Sequence, residues 1–207
     1  MKRTLLVLLA LASTLALHAG DIALPTPHKT GGMPLMEALA QRQSIREYDT
    51  RELSRQQLSD LVWATFGINR TDGRRTAPTA NNRQEFDLYV VLKEGAYRYD
   101  AAANKLLLVT SEDIRDQIAG HRFAAAPVQL LYVADLSRRS ETDENRKLLM
   151  AHIDCGYLSQ NTGLFCASEG LATCPRASFN REIATEKLQL RPAQQILLAH
   201  SVGYPKP

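Results

Sequence analysis

Residues Phe86 to Leu92 read Phe-Asp-Leu-Tyr-Val-Val-Leu, a nearly continuous apolar run. A strand with one face in water alternates apolar and polar residues, so a run without alternation suits a buried position in a sheet. Pro127 precedes a second core strand, Val128 to Ala134. Gly95 marks a turn, and Ala96–Tyr99 and Lys105–Val109 are short strands that complete an antiparallel meander. Gln194 to Val202 forms a final strand.

Helical periodicity surrounds these strands. Leu35, Met36, Leu39 and Ala40 recur at helix spacing after Pro34, and that helix stops near Gln41. Ser54 and Gln57 form a capping-box pattern ahead of Leu58, Leu61, Val62 and Thr65, with Gly67 as the stop. Ser111 is expected to cap a short helix through Ala119, and Asn180 to open another. The longest helix runs from about Thr142 to Glu169, with Leu148, Leu149, Ile153, Tyr157 and Leu164 as its apolar side. Gly156, Gly163 and Gly170 fall seven apart on one face, where close packing of another backbone would explain them. The order of elements gives an α+β domain, with helices packed on a mixed or antiparallel sheet.

The chain of 207 residues has the length of one ordinary domain. Its leader reads differently from the rest. Lys2 and Arg3 precede an apolar run from Leu5 to Leu17, broken only by Ser13 and Thr14, and small residues follow at Ala19 and Gly20. This is the pattern of a secretory signal peptide over residues 1–19, which implies a secreted or periplasmic protein. Residues 20–33 then form a proline- and glycine-containing lead-in to a domain over 34–207. The 25 basic and 22 acidic residues include Lys2 and Arg3, so the mature body is close to neutral. Nucleic acid is therefore excluded as the main partner. Three cysteines cannot frame a fold. Cys155 and Cys166 sit about 16 Å apart along one helix, too far to bond. Cys174 could meet Cys166 across the helix end, but buried free thiols are the expectation.

Conventional catalytic patterns are absent. His28, His121, His152 and His200 are scattered without metal-ligand spacing, so no metal is expected. There is no nucleophile elbow, P-loop or dinucleotide fingerprint. Two other segments carry polar chemistry. Arg42-Gln-Ser44-Ile-Arg46 sets two guanidinium forks and a hydroxyl just after a helix, a donor set that matches phosphate. Residues 67–84 have no apolar period, carry Arg70, Arg74, Arg75 and Arg83, and form a loop of a length that is usually functional. Within it Asn82 and Gln84 can both donate and accept, as recognition of a heterocyclic ring edge requires.

These segments bear a family resemblance. Arg42-x-Ser44-x-Arg46 resembles the opening motif of the nitroreductase-like FMN-dependent oxidoreductases. Pro78-Thr79-Ala80-Asn81-Asn82-Arg83-Gln84 resembles their Pro-Ser-x-x-Asn-x-Gln motif, with Thr79 in place of serine. Gly170-Leu171-Ala172-Thr173-Cys174-Pro175 resembles their Gly-Leu-x-x-x-Pro junction, and Val202-Gly203-Tyr204-Pro205 their C-terminal element. The strand at Asp87–Val91 and the segment Gly95–Asp100 look closest to the thiazole/oxazole-dehydrogenase branch. The resemblance covers residues 36–207. It implies a nitroreductase-like fold, a homodimer with a long central dimer helix, and FMN at the subunit interface.

Carried over by residue, Arg42, Ser44 and Arg46 would hold the FMN phosphate and ribityl chain. Asn82 would contact the flavin ring or ribityl hydroxyls, with Pro78, Thr79, Ala80 and Gln84 shaping a loop that enters from the partner subunit. Backbone N–H groups around Ala177 and Ser178, following Pro175, would face flavin N5 and O4, where the family often has Glu-Gly. Lys206, or Arg74, Arg75 or Arg83, would supply the phosphate contact that relatives draw from a longer C-terminus. Hydride chemistry would belong to the flavin, so no catalytic side chain is implied. The expected activity is hydride transfer between flavin and a small organic substrate (nitro, quinone or related) in ping-pong half-reactions. NAD(P)H is the usual family donor, and export argues against its supply. The alternative reading is a flavin-binding or electron-transfer module without turnover, or a relative that has lost FMN.

Overall fold

A computed structural model describes residues 20–207. The signal-peptide segment, residues 1–19, lies outside the described residues. Seven strands form one sheet in the order β1-β4-β3-β2-β5-β7-β6, every neighbouring pair antiparallel. They are β1 (Ile22–Ala23), β2 (Phe86–Leu92), β3 (Gly95–Asp100), β4 (Lys105–Thr110), β5 (Val128–Asp135), β6 (Ala172–Arg176) and β7 (Gln194–Gly203). The helices are α1 (Leu35–Gln41), α2 (Arg55–Phe66), α3 (Arg115–Ala119), α4 (His121–Ala124), α5 (Glu144–Ser168) and α6 (Arg181–Lys187).

The two apolar strands are paired at the centre, and alternate residues enter two different cores. Leu88, Val90, Leu130 and Tyr132 pack with Leu61, Val62 and Phe66 of α2 and Leu158 of α5. Tyr89, Val91, Leu131 and Val133 pack on the other face, with Ile118 of α3, Ala184 of α6 and Leu188 just past its end. Burial on both faces is why these strands show no alternation. The capping box at α2 is complete: the Ser54 hydroxyl accepts from the Gln57 amide while the Gln57 side chain accepts from the Ser54 amide. α5 ends in a Schellman turn. Gly170 adopts φ +64°, the Leu171 amide donates to Cys166 O and the Gly170 amide to Ala167 O. That turn delivers the chain straight into β6.

Four readings from the sequence change. Residues 20–33 are more than a lead-in, since Ile22 and Ala23 add an edge strand beside β4. Ser111 caps nothing; Asp113 binds the Arg115 amide instead, and the helix starts at Arg115. The stretch after Gly170 is a strand, and its Pro175 is tolerated because β6 is the sheet edge. The largest correction concerns α5. Its buried face is Ala151, Asp154, Cys155, Leu158, Thr162 and Cys166, whereas Leu149, Ile153 and Tyr157 are 53%, 46% and 49% exposed. The buried face mixes small and polar residues with Leu158, and Leu148 packs against the core, while Leu149, Ile153 and Tyr157 face outward. Within this chain the three glycines do not meet one common neighbour. Gly156 has open space beside it, Gly163 lies against the Arg42 side chain, and Gly170 is past the helix end.

The three cysteines are free and buried, and burial pushes the Cys155 and Cys166 thiols up to about 12. His200 of β7 is also buried, between Ser159 Oγ at 2.8 Å and Thr173 Oγ1 at 3.0 Å. Burial first, and the Arg176 charge second, lower its pKa from 6.5 to about 3. The unfolded chain therefore binds a proton that the folded chain refuses. The resulting stability is present above about pH 6.5 and lost as pH falls toward 3, on the order of 4 kcal/mol in all. The urea midpoint of the wild type should fall more steeply between pH 6.5 and 4 than that of a His200→Asn variant. Parallel pH profiles would remove His200 from the acid response.

Candidate functional site

The Arg42–Arg46 segment begins where α1 ends, with the Arg42 amide still bonded to Ala38 O. It then runs extended against β6, the Ile45 amide donating to Thr173 O at 2.9 Å. The C-terminal segment lies on its other side. Tyr48 bridges Pro205, the Asp49 amide donates to Tyr204 O and the Lys206 amide to Glu47 O. Gly203 packs closely against Pro127, whose ring a Cβ there would meet at 2.5 Å. Arg42 and Arg46 are exposed and Ser44 is half-buried. Among the described residues, Arg46 donates only to Ser44 O, at 3.4 Å, and neither arginine has a carboxylate partner. Arg51, Arg115, Arg138 and Arg139 all sit on carboxylates.

Pro175, Ala177 and Ser178 are exposed where the chain leaves the sheet edge, two residues beyond the Ile45–Thr173 contact. The structure thus sets Arg42, Ser44, Arg46 and Lys206 along the β6 edge of the sheet, with Lys206 near the Ala172 end of that strand and the 175–178 segment at its other end. Of the alternative cations, Arg74 pairs with Asp72, Arg75 donates to Gln84 and Phe66 O, and Arg83 donates to Ser140. Lys206 is the one that lies beside the arginine segment.

The second motif lies elsewhere. Residues Ala80–Asn82 form a 3-10 turn, and Asn81, Asn82 and Gln84 take positive φ. Strained backbone of this kind persists only where surrounding bonds hold it. Thr79 Oγ1 accepts from the Gln84 amide at 2.9 Å, so threonine preserves the hydroxyl function of the family's serine. The Gln84 side chain is engaged within the loop by Arg75, Asn82 and Gly73. Asn82 is exposed, and Pro78 is exposed beside the half-buried Thr79 and Ala80. The whole loop hangs on α5, where Asp154 Oδ2 accepts from the Ala80 amide at 2.9 Å. Arg42 meets the same helix at Gly163, nine residues and about 14 Å further along.

Asp154 was missed as a site residue, although an acid beside Cys155 and three residues past Ala151 falls on the buried face by spacing alone. Its partners come from remote segments. Arg139 Nη1 lies 3.2 Å from Asp154 Oδ2 and 2.5 Å from Glu85 Oε1, and Arg139 Nη2 lies 2.6 Å from Glu141. Burial, helped by the neighbouring Asp154 carboxylate, raises the Glu85 pKa, and Glu85 Oε2 has no partner among the described residues.

With this geometry in place, the comparisons with known proteins are decisive. The sequence model of the nitroreductase family matches residues 39–204. The chain belongs to the nitroreductase family. A relative from Methanocaldococcus jannaschii whose name places it with the nitroreductases is 25% identical over 175 residues, covering 79% of this chain and 88% of that one. A solved structure from Ralstonia eutropha JMP134, also named for nitroreductase, is 34% identical with a TM-score of 0.87 and covers 93% of each chain. A Staphylococcus epidermidis structure named for an NAD(P)H:FMN oxidoreductase shares the fold, with a TM-score of 0.63 at 14% identity over 87% of this chain and 92% of that one. The nitroreductase fold read from the sequence is therefore the fold of this chain, and α5 is its long central helix.

Removing Asp154 would strand the Ala80 amide and part of the Arg139 charge. Asp154→Ala should destabilise the protein by about 3–5 kcal/mol, as expected for breaking a buried ion pair. Asp154→Asn, which still accepts from Ala80, should cost less. Urea unfolding measures both, and amide exchange at Ala80 should accelerate most in the alanine variant.

Proposed function

We propose that this nitroreductase-family oxidoreductase is an exported, homodimeric FMN enzyme. It transfers hydride between flavin and a small organic substrate of nitro or quinone type, in alternating half-reactions. One observation carries the reading: Arg42 and Arg46 flank Ser44 beside Lys206 without a carboxylate partner among the described residues, on backbone fixed from both sides. Cations held in place but left without an acid fit a phosphate monoester, and the guanidinium fork matches its oxygens.

FMN, when bound, supplies the hydride-exchanging ring. The chain supplies binding and orientation: the Arg42, Ser44 and Arg46 donors for the phosphate and ribityl chain, and backbone N–H groups near Ala177 and Ser178 for the ring. Asn82 and the Pro78–Gln84 loop enter from the second copy. Two features support that division. The loop and the arginine segment meet α5 at different levels within one chain. An apolar face made of Leu35, Met36 and Leu39 on α1 and Leu149, Ile153 and Tyr157 on α5 is exposed, a pattern typical of an interaction surface. The leader supports export, which separates the enzyme from cytosolic NAD(P)H. The Asp87–Val91 and Gly95–Asp100 segments favour the thiazole/oxazole-dehydrogenase-like branch of the family.

The purified mature chain should show a stoichiometric flavin spectrum, directly or after FMN addition, that a reductant bleaches. Arg42→Ala and Arg46→Ala should each weaken FMN binding by about 1.5–3 kcal/mol, roughly 10- to 150-fold. Unchanged affinity in both would remove the phosphate assignment. In sedimentation, the wild type should run as a dimer and Ile153→Asp as a monomer with weakened FMN binding. A wild-type monomer that binds FMN fully would overturn the shared site.

A further inference from the structure

Arg176 is the last residue of β6, between the exposed Pro175 and Ala177, yet its own side chain turns inward and the residue is 5% exposed. Each nitrogen of its guanidinium donates to a neutral oxygen. Nε donates to Ser201 Oγ at 3.1 Å, Nη1 to Ser178 O at 2.9 Å and Nη2 to Gln129 Oε1 at 2.7 Å. The Phe123 ring lies under it at 4.9 Å. Among the described residues it has no carboxylate partner. Arg139, the other buried arginine, has three within reach. Burying a charge without its opposite is costly, and a hydrogen-bonded scaffold at this corner of the sheet does not itself require a cation.

The field of this charge is already felt. Burial lowers the pKa of Arg176, and its charge adds to burial in keeping His200 neutral. The same side chain fixes the segment beside it, because Nη1 holds Ser178 O.

We propose that Arg176 is a charge-setting and positioning residue of the cofactor site: its buried, uncompensated cation favours the negatively charged reduced form of bound FMN over the neutral-ring oxidised form. The inference rests on the FMN reading above. Taking up two electrons and one proton leaves the flavin ring with one negative charge, and a fixed cation nearby stabilises that form selectively. Arg176 touches no reacting atom in this scheme; it acts through the field and through the Ala177–Ser178 backbone.

The test compares dissociation constants for oxidised FMN and for dithionite-reduced FMN under anaerobic conditions, using the full mature protein. Arg176→Gln removes the charge. Gln129→Glu keeps the Arg176 side chain and its hydrogen bond and gives it an internal counter-charge, with loss of the Gln129 Nε2 bond to Phe123 O, so it tests the charge with Arg176 still in place. Each variant should lose about tenfold in preference for reduced over oxidised FMN, equivalent to about 30 mV in a two-electron potential. Arg176→Lys, which keeps the charge, should retain most of the preference. A wild-type preference in Gln129→Glu would overturn the proposal while leaving FMN binding intact. A wild type that binds neither form of FMN would overturn the functional reading as well.

Discussion

Asp154 hangs the Pro78–Gln84 loop on the central helix. Its carboxylate accepts from the Ala80 amide, is bound to Arg139, and through that guanidinium is tied to Glu85, the residue that leads into β2. One buried ion cluster therefore joins the loop, the first central strand, the segment after β5 and the middle of α5. Positive φ at Asn81, Asn82 and Gln84 costs conformational energy, and this cluster together with the Thr79–Gln84 bond holds the loop in that shape. Acids outnumber the cation here: one buried guanidinium serves three carboxylates, and among the described residues Glu85 keeps an oxygen without a partner.

α5 organises the rest by having two distinct faces. The inner one is made of Leu158 and of small, polar and thiol-bearing residues, with Thr162 joining Thr65 of α2 to Tyr132 of β5 through two 2.7 Å hydrogen bonds. The outer one presents Leu149, Ile153 and Tyr157 to solvent, and α1 exposes Leu35, Met36 and Leu39 as well. A helix with this distribution anchors a site loop on its inner side and offers an apolar surface on its outer side. The two parts of the proposed flavin site use different levels of the same helix, which accords with a site completed by a second copy.

Much of the fold was legible because its signals are local. The apolar run at Phe86–Leu92, the Ser54–Gln57 capping box and the Asn180 cap each depend on residues within a few positions of one another, and each holds in the structure. β6 was not legible, because its proline reads as a break until the strand is seen at a sheet edge. The apolar side of α5 was misassigned for a related reason. Periodicity shows that large residues share a face but not whether that face meets the sheet or solvent.

By itself, the sequence determined the central strands and the main helices, the α+β class, the family motifs and the arginine–serine donor set, since these are patterns of neighbouring side chains. Only the tertiary structure decided which of those side chains are held in place and by what charge. Among the described residues it left Arg42 and Arg46 without acids, surrounded Arg139 with three, gave Arg176 none, and hung the second motif on Asp154. Such pairings join residues tens of positions apart, Ala80 with Asp154 and Glu85 with Arg139. Coulomb and hydrogen-bond energies act over a few ångströms in space, so they come into being when the chain has folded and leave no spacing in the sequence from which to read them.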